Sequence, residues 1–592
     1  MKLVIAEKPS QGVTFSKVLG ANKRGKGYYE GNGYIVSWCI GHLVGLALPE
    51  VYSADFKRWD NLPIIPDEWK YTVNKSTADQ FGVVKRLMND KRVTSIVCAT
   101  DSGREGELIF RLVYEYVGCK KPVERLWISS LEDEAVRKGF ENLKPSKEYD
   151  KLYASALCRE RADWLIGING TRYFTVHNNN ELISVGRVQT PTLAMIVQRD
   201  REISSFVKQK YYTVEIDCGE YIAESERIDD YEKARLIAMD CETASARVTA
   251  VTTKNKYTSE PKLFDLTALQ REANRLFGFT AKETLDTAQK LYEMKLITYP
   301  RTDSRYLTDD MDDTASKVIG LIKKHIPFAG YIDFKPFLPP ILDSGKVSDH
   351  HAIIPTVNIA DVGELSDNET KILYIICARL LEATAGKYAF KSTNVEVKCN
   401  GRIFKANGTA LIEPGYKAIT QNFRQSVGLK FSDEVEQILP DDISEGEAYT
   451  VTAALREHYT MPPKAYTEDT LLLAMENAGK EQLEKKDVER VGLGTPATRA
   501  AIIEALVKRG YIKRKGRMLC STDMGRKIVD TVPDVLKSAD MTADWENMLA
   551  LITKGENSDK AFMQDIKTLV NRMLSNKTPK STKMLKIFTK KA

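Results

Sequence analysis

The sequence predicts a multidomain protein in which an α/β domain comes first and α+β units follow. Three observations support this fold class. The chain has 592 residues, too many for one hydrophobic core. Short buried strands alternate with helical patterns near the N-terminus, and strand-rich stretches alternate with helical ones later. Apolar residues make up 43% and charged residues 28% of the chain, which is typical of a soluble globular protein.

The first 145 residues carry the α/β pattern. Residues 2–6 (KLVIA) and 93–100 (VTSIVCAT) predict buried strands, because both are apolar and the second is rich in β-branched residues. The second strand leads into the helical stretch GREGELIFRLVYEYVG, where Gly118 is placed to end the helix. Strands that alternate with helices favour a mostly parallel sheet.

The rest of the chain divides by pattern into helical and strand-rich stretches. Strand alternation marks residues 208–256 and 388–456, and helical patterns fill the intervening and following segments. A strand-rich unit split by a helical insertion accounts for this order. We therefore predict four units: residues 1–145; 146–207 with 457–592; 208–264 with 388–456; and 265–387.

Composition restricts the setting of the protein. No apolar run approaches the ~18 residues of a membrane span, and the N-terminus lacks a signal-peptide pattern, so we expect a cytoplasmic protein. Nine cysteines occur without a CxxC pair, which disfavours a zinc ribbon. The net charge is +6, and the last sixteen residues carry six lysines and no acid. That tail fits a polyanionic partner or a solvated, disordered end.

Polar side chains follow two predicted strands of the first domain. Glu7 and Lys8 end IAEKPS, and Asp101 opens DSGREGE. Because ligands gather at the carboxyl ends of parallel strands, we expect Glu7 and Asp101 to meet there. Clustered carboxylates suit Mg²⁺, and Lys8 and Arg104 are placed to hold a phosphate beside it.

The alternative for these acids is a solvated turn or a charge that complements a helix dipole. We favour that structural interpretation for Glu107, which lies inside the predicted helix. The chain contains no GxxxxGK[ST] motif, so nucleotide-driven chemistry through a P-loop is disfavoured.

One tyrosine stands in a setting that favours chemistry. In LITYPRTDS, Pro300 disfavours helical backbone angles at Tyr299, so this side chain is presented on an extended segment. A phenol has a pKa near ~10 and is a poor nucleophile without help. Arg301 is placed to favour the phenolate or to neutralise a phosphate under attack. Taken alone, the motif also fits a structural Tyr-Pro turn.

Several stretches indicate nucleic-acid binding, although each also fits surface residues of amphipathic helices. Residues 492–525 predict a helix with Thr495 as its N-cap and Pro496 in its first turn, followed by the basic hairpin YIKRKGRMLCST. This order favours a winged-helix unit. The side chains that we predict to contact DNA are Arg159, Arg161, Arg187, Gln189, His350, Thr495, Thr498 and Arg499.

Together these motifs resemble the type IA DNA topoisomerases, and the topoisomerase III branch (bacterial or plasmid-type) most closely. The matching stretches occur in the family's order from residue 2 to about 525: IAEKPS, ATDSGREGELIFR, RADWLIGING, SVGRVQTPTL, LITYPRTDS, SDHHAIIPT and GLGTPATRAAII. The resemblance implies a Toprim-type α/β domain followed by a toroidal core with an arch and winged-helix-like units. The lack of cysteine ribbons also fits this branch.

The resemblance further implies an ATP-independent enzyme that breaks one DNA strand through a 5′-phosphotyrosine on Tyr299, passes DNA through the break and religates it. Arg301 and Lys8 would stabilise the phosphate, and Glu7 would bind Mg²⁺ or assist the leaving 3′ oxygen. Asp101 and Glu105 would complete the metal site.

The sequence departs from the family pattern at one position. The family usually has Asp-x-Asp-x-Glu where this chain has Asp101, Gly103 and Glu105, so one metal ligand is missing. This puts a two-ion site in doubt.

The implied partners are single-stranded DNA and gapped or negatively supercoiled duplex DNA, in a monomeric enzyme associated with nucleoid or plasmid. A helicase is a candidate partner. Two alternatives stay open. A Toprim nuclease or primase would need the acids but not Tyr299, and a non-catalytic nucleic-acid-binding protein would fit the loss of an acid at Gly103.

Overall fold

The computed structural model describes residues 1–128, 131–330, 334–347, 350–429, 437–440, 442–479 and 492–575. It is a mixed α/β structure, as the sequence predicts. The lysine-rich tail lies outside the described residues. Among the helices that the model describes, none is long and apolar enough to cross a membrane.

The N-terminal domain contains nine strands and five helices within its described residues. The strands are β1 (Lys2–Ala6), β2 (Lys23–Gly25), β3 (Tyr28–Gly31), β4 (Tyr34–Trp38), β5 (Val44–Leu46), β6 (Tyr71–Val73), β7 (Ser95–Ala99), β8 (Val123–Arg125) and β9 (Lys144–Pro145). The helices are α1 (Pro9–Leu19), α2 (Pro49–Tyr52), α3 (Ala78–Met88), α4 (Arg104–Val117) and α5 (Asp133–Glu141).

Seven of these strands form one sheet in the order β2-β3-β4-β1-β7-β8-β9, while β5 pairs with β6. The centre of the seven-stranded sheet is parallel, because β1 pairs in parallel with both β4 and β7. The central strands are buried, as expected for parallel strands covered on both faces. Helix α4 ends at Gly118, whose φ of +69° is the left-handed conformation that glycine favours at a helix C-terminus.

The chain then forms helices and the first strands of a second sheet. These elements are α6 (Asp150–Val176), α7 (Gln189–Ser204), β10 (Lys210–Asp217), β11 (Ile222–Glu224), α8 (Tyr231–Cys241) and β12 (Ser245–Thr258). A helical segment follows, with α9 (Leu266–Phe277), α10 (Ala281–Glu293), α11 (Asp312–His325) and α12 (Asp367–Glu382). Helix α10 begins with the capping box that Thr280 and Glu283 predict.

The second sheet is completed after this helical segment. Its remaining elements are β13 (Tyr388–Cys399), β14 (Arg402–Glu413), α13 (Tyr416–Ser426), β15 (Ala448–Thr450) and β16 (Thr452–Tyr459). The strand order is β15-β12-β13-β14-β11-β10-β16, and the pairings are antiparallel. Strands from both sides of the helical segment therefore build one sheet.

The last described part of the chain is helical with one hairpin. Its elements are α14 (Glu468–Asn477), α15 (Pro496–Lys508), β17 (Ile512–Lys515), β18 (Met518–Ser521), α16 (Asp523–Thr531), α17 (Asp534–Lys537), α18 (Ala539–Lys554) and α19 (Asp559–Leu574). Thr495 is the N-cap of α15 and Pro496 follows it, as the sequence predicts. Helix α15 and the β17–β18 hairpin form the helix-plus-wing arrangement.

Segments that are distant in sequence pack against each other, so that the last helices contact the first half of the chain. Helices α18 and α19 pack on α6, and α14 packs on α9. One hydrophobic core contains Val4 and Phe15 of the N-terminal domain together with Leu291 and Ile376 of the helical segment. The Lys295 ammonium reaches Asp133 at 2.7 Å across the same boundary. This closed circuit of contacts is what a toroid requires; the exact domain boundaries stay a prediction.

Candidate active site

The carboxyl ends of two neighbouring strands bring two acids together. Strand β1 pairs in parallel with β7, with Ala6 opposite Ala99, so the residues that follow them share one edge of the sheet. The backbone N–H of Asp101 donates to Glu7 Oε2 at 3.1 Å. Glu7 is 6% exposed. The two acids therefore meet where the strand pattern predicts.

Tyr299 enters this site from the helical segment after α10. Thr298 N–H donates to the Ile354 carbonyl at 2.9 Å, and Ile354 N–H donates to Thr298 Oγ1 at 3.0 Å, which fixes the extended backbone. The Tyr299 hydroxyl then donates to Asp101 Oδ2 at 2.5 Å. The Tyr299 hydroxyl therefore contacts the Asp101 carboxylate that follows β7, although 198 positions separate the two residues in sequence.

Burial and charge set the protonation of this group. Burial raises the pKa of Tyr299 well above its ordinary value; Asp101 and Glu7 raise it further and Arg301 opposes them. Burial and the neighbouring Asp101 raise the pKa of Glu7 to about 8. Burial would raise the pKa of Asp101 too, but Lys8 and hydrogen bonds from its neighbours hold it below its ordinary value. At neutral pH, Tyr299 and Glu7 carry protons and Asp101 is ionised.

Two cationic side chains belong to the same site. Lys8 Nζ lies 3.7 Å from Asp101 Oδ2, is buried and makes no hydrogen bond to any described residue. Arg301 Nε is likewise buried and has no partner among the residues that the model describes. Buried donors of this kind are costly unless a ligand satisfies them. Both are therefore available to an anionic ligand.

Three further side chains support Tyr299 and its acid. Gln11 Nε2 donates to Asp101 Oδ1 at 2.5 Å. The rings of Tyr292 and His350 lie 5.3 and 4.5 Å from the Tyr299 ring. Burial lowers the pKa of His350 to about 4, so its imidazole is neutral at pH 7. These side chains line one small cavity beneath the tyrosine.

The other two acids of the DSGREGE stretch have different partners. Glu105 Oε1 lies 2.7 Å from His42 Nε2. Glu107 is fully buried, and its carboxylate accepts from Arg111 at 2.8 Å and from Arg125 at 3.0 Å. Of the two structural interpretations of Glu107, the position in the first turn of α4 fits the helix-dipole one, and two arginines compensate its buried charge.

The site fits Mg²⁺ only in part. In the described ranges, no group of three or more His, Cys, Asp or Glu is arranged to hold a metal ion. Glu7 and Asp101 offer carboxylate oxygens at one point, while Glu105 faces His42 and Gly103 offers no ligand. Mg²⁺ often keeps water and takes one or two carboxylates with substrate phosphate. A two-carboxylate site suits that mode.

Three of the eight predicted DNA contacts lie beside Glu546 or Tyr299, and the other five contact protein groups elsewhere. Arg159 and Arg187 come together around Glu546, at 3.8 and 2.9 Å, and His350 lies beside Tyr299. Arg161 instead donates to the Tyr71 hydroxyl at 3.3 Å. Of these residues, His350 adjoins the reaction centre.

The remaining predicted contacts are held by protein groups in this conformation. The buried Arg499 donates to the Leu493 carbonyl and to Thr267 Oγ1, and Gln189 accepts from Arg509. Thr495 and Thr498 cap α15. Their roles in binding DNA stay predictions.

Sequence reasoning missed several residues of the site. Gln11 is the third residue of α1 and accepts from the Lys8 backbone N–H at 3.2 Å, which holds its side chain near Glu7. His42 follows no recognisable pattern. Asp163, which pairs with Arg187 at 2.9 Å, lies in the RADWLIGING stretch, but no role was predicted for it. Glu546 is 442 positions from its partner Arg104, so no local signal points to it.

Comparison with known proteins identifies the family. A family model described as DNA topoisomerase matches residues 147–564, and a Toprim domain model matches residues 2–131. DNA topoisomerase 3 of Bacillus cereus is 40% identical over 595 residues, covering 97% of this chain and 81% of the relative. The chain belongs to the type IA DNA topoisomerases.

Other relatives agree with this membership. DNA topoisomerase 3 of Bacillus subtilis is 40% identical over 594 residues, covering 96% of this chain and 81% of that protein. The solved structure of full-length topoisomerase I from Thermotoga maritima matches with a TM-score of 0.74 and 23% identity, covering 98% of this chain and 91% of that one. That structure supports the topoisomerase fold, with its Toprim domain and core.

Proposed function

We propose that Tyr299 is the nucleophile of this DNA topoisomerase. The enzyme breaks one strand of DNA, passes DNA through the break and rejoins the strand. The observation that supports Tyr299 is its hydrogen bond to Asp101 at 2.5 Å, which joins the helical segment to the Toprim domain at the acids. Twenty-six tyrosines occur in the chain, and the hydroxyl of Tyr299 donates a hydrogen bond to Asp101, a carboxylate that follows a strand.

The proposed cleavage step balances with groups of this chain. The Tyr299 oxygen attacks the scissile phosphorus and its proton passes to Asp101, which is ionised and already accepts from it. The bond from phosphorus to the 3′ oxygen breaks, and Glu7 supplies a proton to that oxygen because its raised pKa keeps it protonated. The product is a 5′-phosphotyrosine and a free 3′ hydroxyl.

Religation reverses the same steps without ATP. The 3′ hydroxyl returns its proton to Glu7 and attacks the phosphotyrosine, while Asp101 returns a proton to Tyr299. Lys8 and Arg301 have buried donors that a phosphate would satisfy, so they neutralise its charge in both directions. Because the phosphodiester energy is kept in the tyrosine ester, the two directions are closely balanced.

We assign Mg²⁺ to Glu7 and Asp101, with Glu105 as a third ligand only if it leaves His42. When bound, the ion supplies positive charge that neutralises phosphate oxygens. A bound ion requires an ionised Glu7, so metal binding and proton donation by this residue compete.

Access to the tyrosine requires movement. Tyr299 is 5% exposed between the Toprim domain and the helical segment. A DNA strand reaches its hydroxyl only when these units part. The unpaired strand of negatively supercoiled or gapped DNA is flexible enough to enter, and its backbone charge makes binding weaken with salt. We therefore propose relaxation of negative supercoils and decatenation of gapped DNA.

The biological setting follows from the substrate. We place the enzyme with nucleoid or plasmid DNA in the cytoplasm and propose that it acts as a monomer. A helicase is a suitable partner, because unwinding supplies the single strands that the site requires.

Covalent trapping tests the proposed nucleophile. A single-stranded oligonucleotide labelled at its 3′ end is incubated with enzyme and Mg²⁺ without ATP, and the mixture is quenched with denaturant. We expect label to migrate with the wild-type protein and not with Tyr299→Phe. Tyr292→Phe is the matched control, because that buried ring lies 5.3 Å from Tyr299, and it should retain the adduct.

Other results would select other functions. An adduct that persists in Tyr299→Phe and disappears in Tyr292→Phe would reassign the nucleophile. Free cleaved DNA without adduct would indicate a nuclease. Tight binding with neither product would indicate a non-catalytic binding protein.

A further inference from the structure

Three arginines from different parts of the fold surround one buried acid. Arg104 begins α4 of the Toprim domain, Arg159 lies on α6 and Arg187 precedes α7; we call these three the arginine cluster. Glu546 of α18 is fully buried, with its oxygens 3.3, 3.8 and 2.9 Å from these arginines respectively. The cluster thus binds an anion that the protein itself supplies.

The arginine cluster is not saturated by Glu546. Arg187 also pairs with Asp163 at 2.9 Å. Within the described residues, Nη1 of Arg104 and Nη1 of Arg187 are buried without a hydrogen-bond partner, and the Arg187 side chain is only 1% exposed. Buried guanidinium donors are costly when unpaired. A ligand with more oxygens than a carboxylate would satisfy them.

Arg104 places the arginine cluster beside the reaction centre. It begins α4 three positions after Asp101, whose carboxylate accepts from the Tyr299 hydroxyl. An anion bound by the cluster would lie next to the strand under attack.

We propose that Glu546 occupies a phosphate-binding position of the arginine cluster and is displaced when a phosphate of single-stranded DNA binds there. A phosphodiester carries the same single charge as a carboxylate and accepts the same paired N–H donors. In the free enzyme, Glu546 neutralises the cluster and connects the C-terminal helices to the Toprim domain through Arg104. Displacement breaks that connection, which couples DNA binding to the opening that Tyr299 requires. This inference rests on the proposed DNA-binding function.

The competing explanation is that Glu546 is only a structural ion-pair partner. Both explanations predict that Glu546→Gln loses stability, because the buried Arg187 and the partly buried Arg104 and Arg159 lose their anion. They differ in DNA affinity. A displaced carboxylate opposes binding, so its removal strengthens binding, whereas loss of a structural partner weakens or does not change it.

Affinity measurements distinguish the two explanations. All proteins carry Tyr299→Phe so that no adduct forms, and binding to a labelled oligodeoxythymidine is followed by fluorescence anisotropy without Mg²⁺. We expect Glu546→Gln to bind about tenfold more tightly than the parent, the effect of one charged hydrogen-bonding contact. Glu546→Asp keeps the charge and should stay within about twofold of the parent. Glu556→Gln removes an exposed acid beyond α18 and should change nothing.

A second measurement needs no substitution at Glu546. Hydrogen exchange of residues 541–549, which contain Glu546, should become faster in the parent protein when the oligonucleotide binds. Unchanged or slower exchange there would overturn the proposal, as would equal or weaker binding by a folded Glu546→Gln protein. If the parent does not bind the oligonucleotide at all, the proposed function fails with it. If it binds and the Glu546 variants are equal, only this inference fails.

Discussion

At the scale of single residues, Asp101 contacts both halves of the reaction centre. It accepts from Tyr299 through one carboxylate oxygen and from Gln11 through the other, while its backbone N–H reaches Glu7. A metal ion that binds Oδ2 of Asp101 therefore shares that oxygen with the Tyr299 hydroxyl. In the proposed Mg²⁺ site, Gly103 leaves out one carboxylate that the family pattern has.

Restoring that acid should strengthen metal binding. Gly103 is the N-cap of α4 with φ of 159° and ψ of 173°, a conformation that favours glycine, so an aspartate there requires a backbone adjustment at the start of the helix. We expect Gly103→Asp to lower the dissociation constant for Mn²⁺, a spectroscopic substitute for Mg²⁺, by about tenfold, because added ligand charge increases affinity. Paramagnetic resonance of free Mn²⁺ in titrations of the DNA-free protein measures this.

The control for that experiment is Gly103→Asn, which has the same size and also caps a helix but adds no charge. It should bind Mn²⁺ like the wild type. Equal dissociation constants for all three proteins would show that position 103 does not face the ion.

At the scale of elements, a buried ion pair fixes the loop between β7 and α4. Arg125 is fully buried and donates to the backbone carbonyls of Thr100 and Asp101 at 2.8 and 2.7 Å. Glu107, one turn into α4, compensates its charge. Arg125 therefore fixes the loop that carries Asp101, and its partner Glu107 lies on the helix that follows this loop.

Removing the partner of Arg125 should destabilise the Toprim domain. Breaking a buried pair on one side costs about 3 kcal/mol, because the remaining charge stays buried. We expect Glu107→Gln to lower the first thermal transition by several degrees and to reduce adduct formation. Glu124→Gln is the control: its pair with Lys2 is exposed and contributes about 0–1 kcal/mol. Equal transition temperatures for the two variants would contradict this account.

The elements were easier to predict than the contacts between them. Apolar runs and capping residues predict β1, α4, α10 and α15, because those signals act over a few neighbouring residues. The strand-end rule also predicts that Glu7 meets Asp101. No pattern predicts His42 beside Glu105, or Glu546 beside Arg104, because these contacts depend on how separate units pack. Burial of Arg187 and Arg499 was missed for the same reason.

At the scale of the whole molecule, the closed circuit depends on a few contacts between units. The Toprim domain meets the helical segment through a shared core that includes Tyr299, and meets the C-terminal helices through Arg104 and Glu546. Under the proposed function, opening for DNA must part the Toprim domain from the helical segment at Tyr299. We expect opening to begin at the Arg104–Glu546 ion pair, since separating one ion pair exposes less apolar surface than separating the core around Tyr299.

Low pH should weaken the boundary between the Toprim domain and the C-terminal helices, because it protonates Glu546. The three arginines overcome the effect of burial and lower the pKa of Glu546 from 4.5 to about 2. An acid with a depressed pKa contributes stability above its unfolded value, and this is lost as pH falls from about 4.5 toward 2. The contribution at neutral pH is about 3 kcal/mol, from ~1.4 kcal/mol per unit of pKa.

Glu546→Gln imitates the protonated side chain and isolates this contribution from other carboxylates. We expect the wild type to unfold at a higher temperature than Glu546→Gln at pH 6, and the difference to shrink as the pH is lowered below about 4.5. Thermal unfolding followed by circular dichroism at several pH values measures both curves. A difference that stays constant down to pH 3 would show that the arginines do not hold Glu546 ionised. In that case its removal acts through packing, and opening at this boundary would not respond to charge.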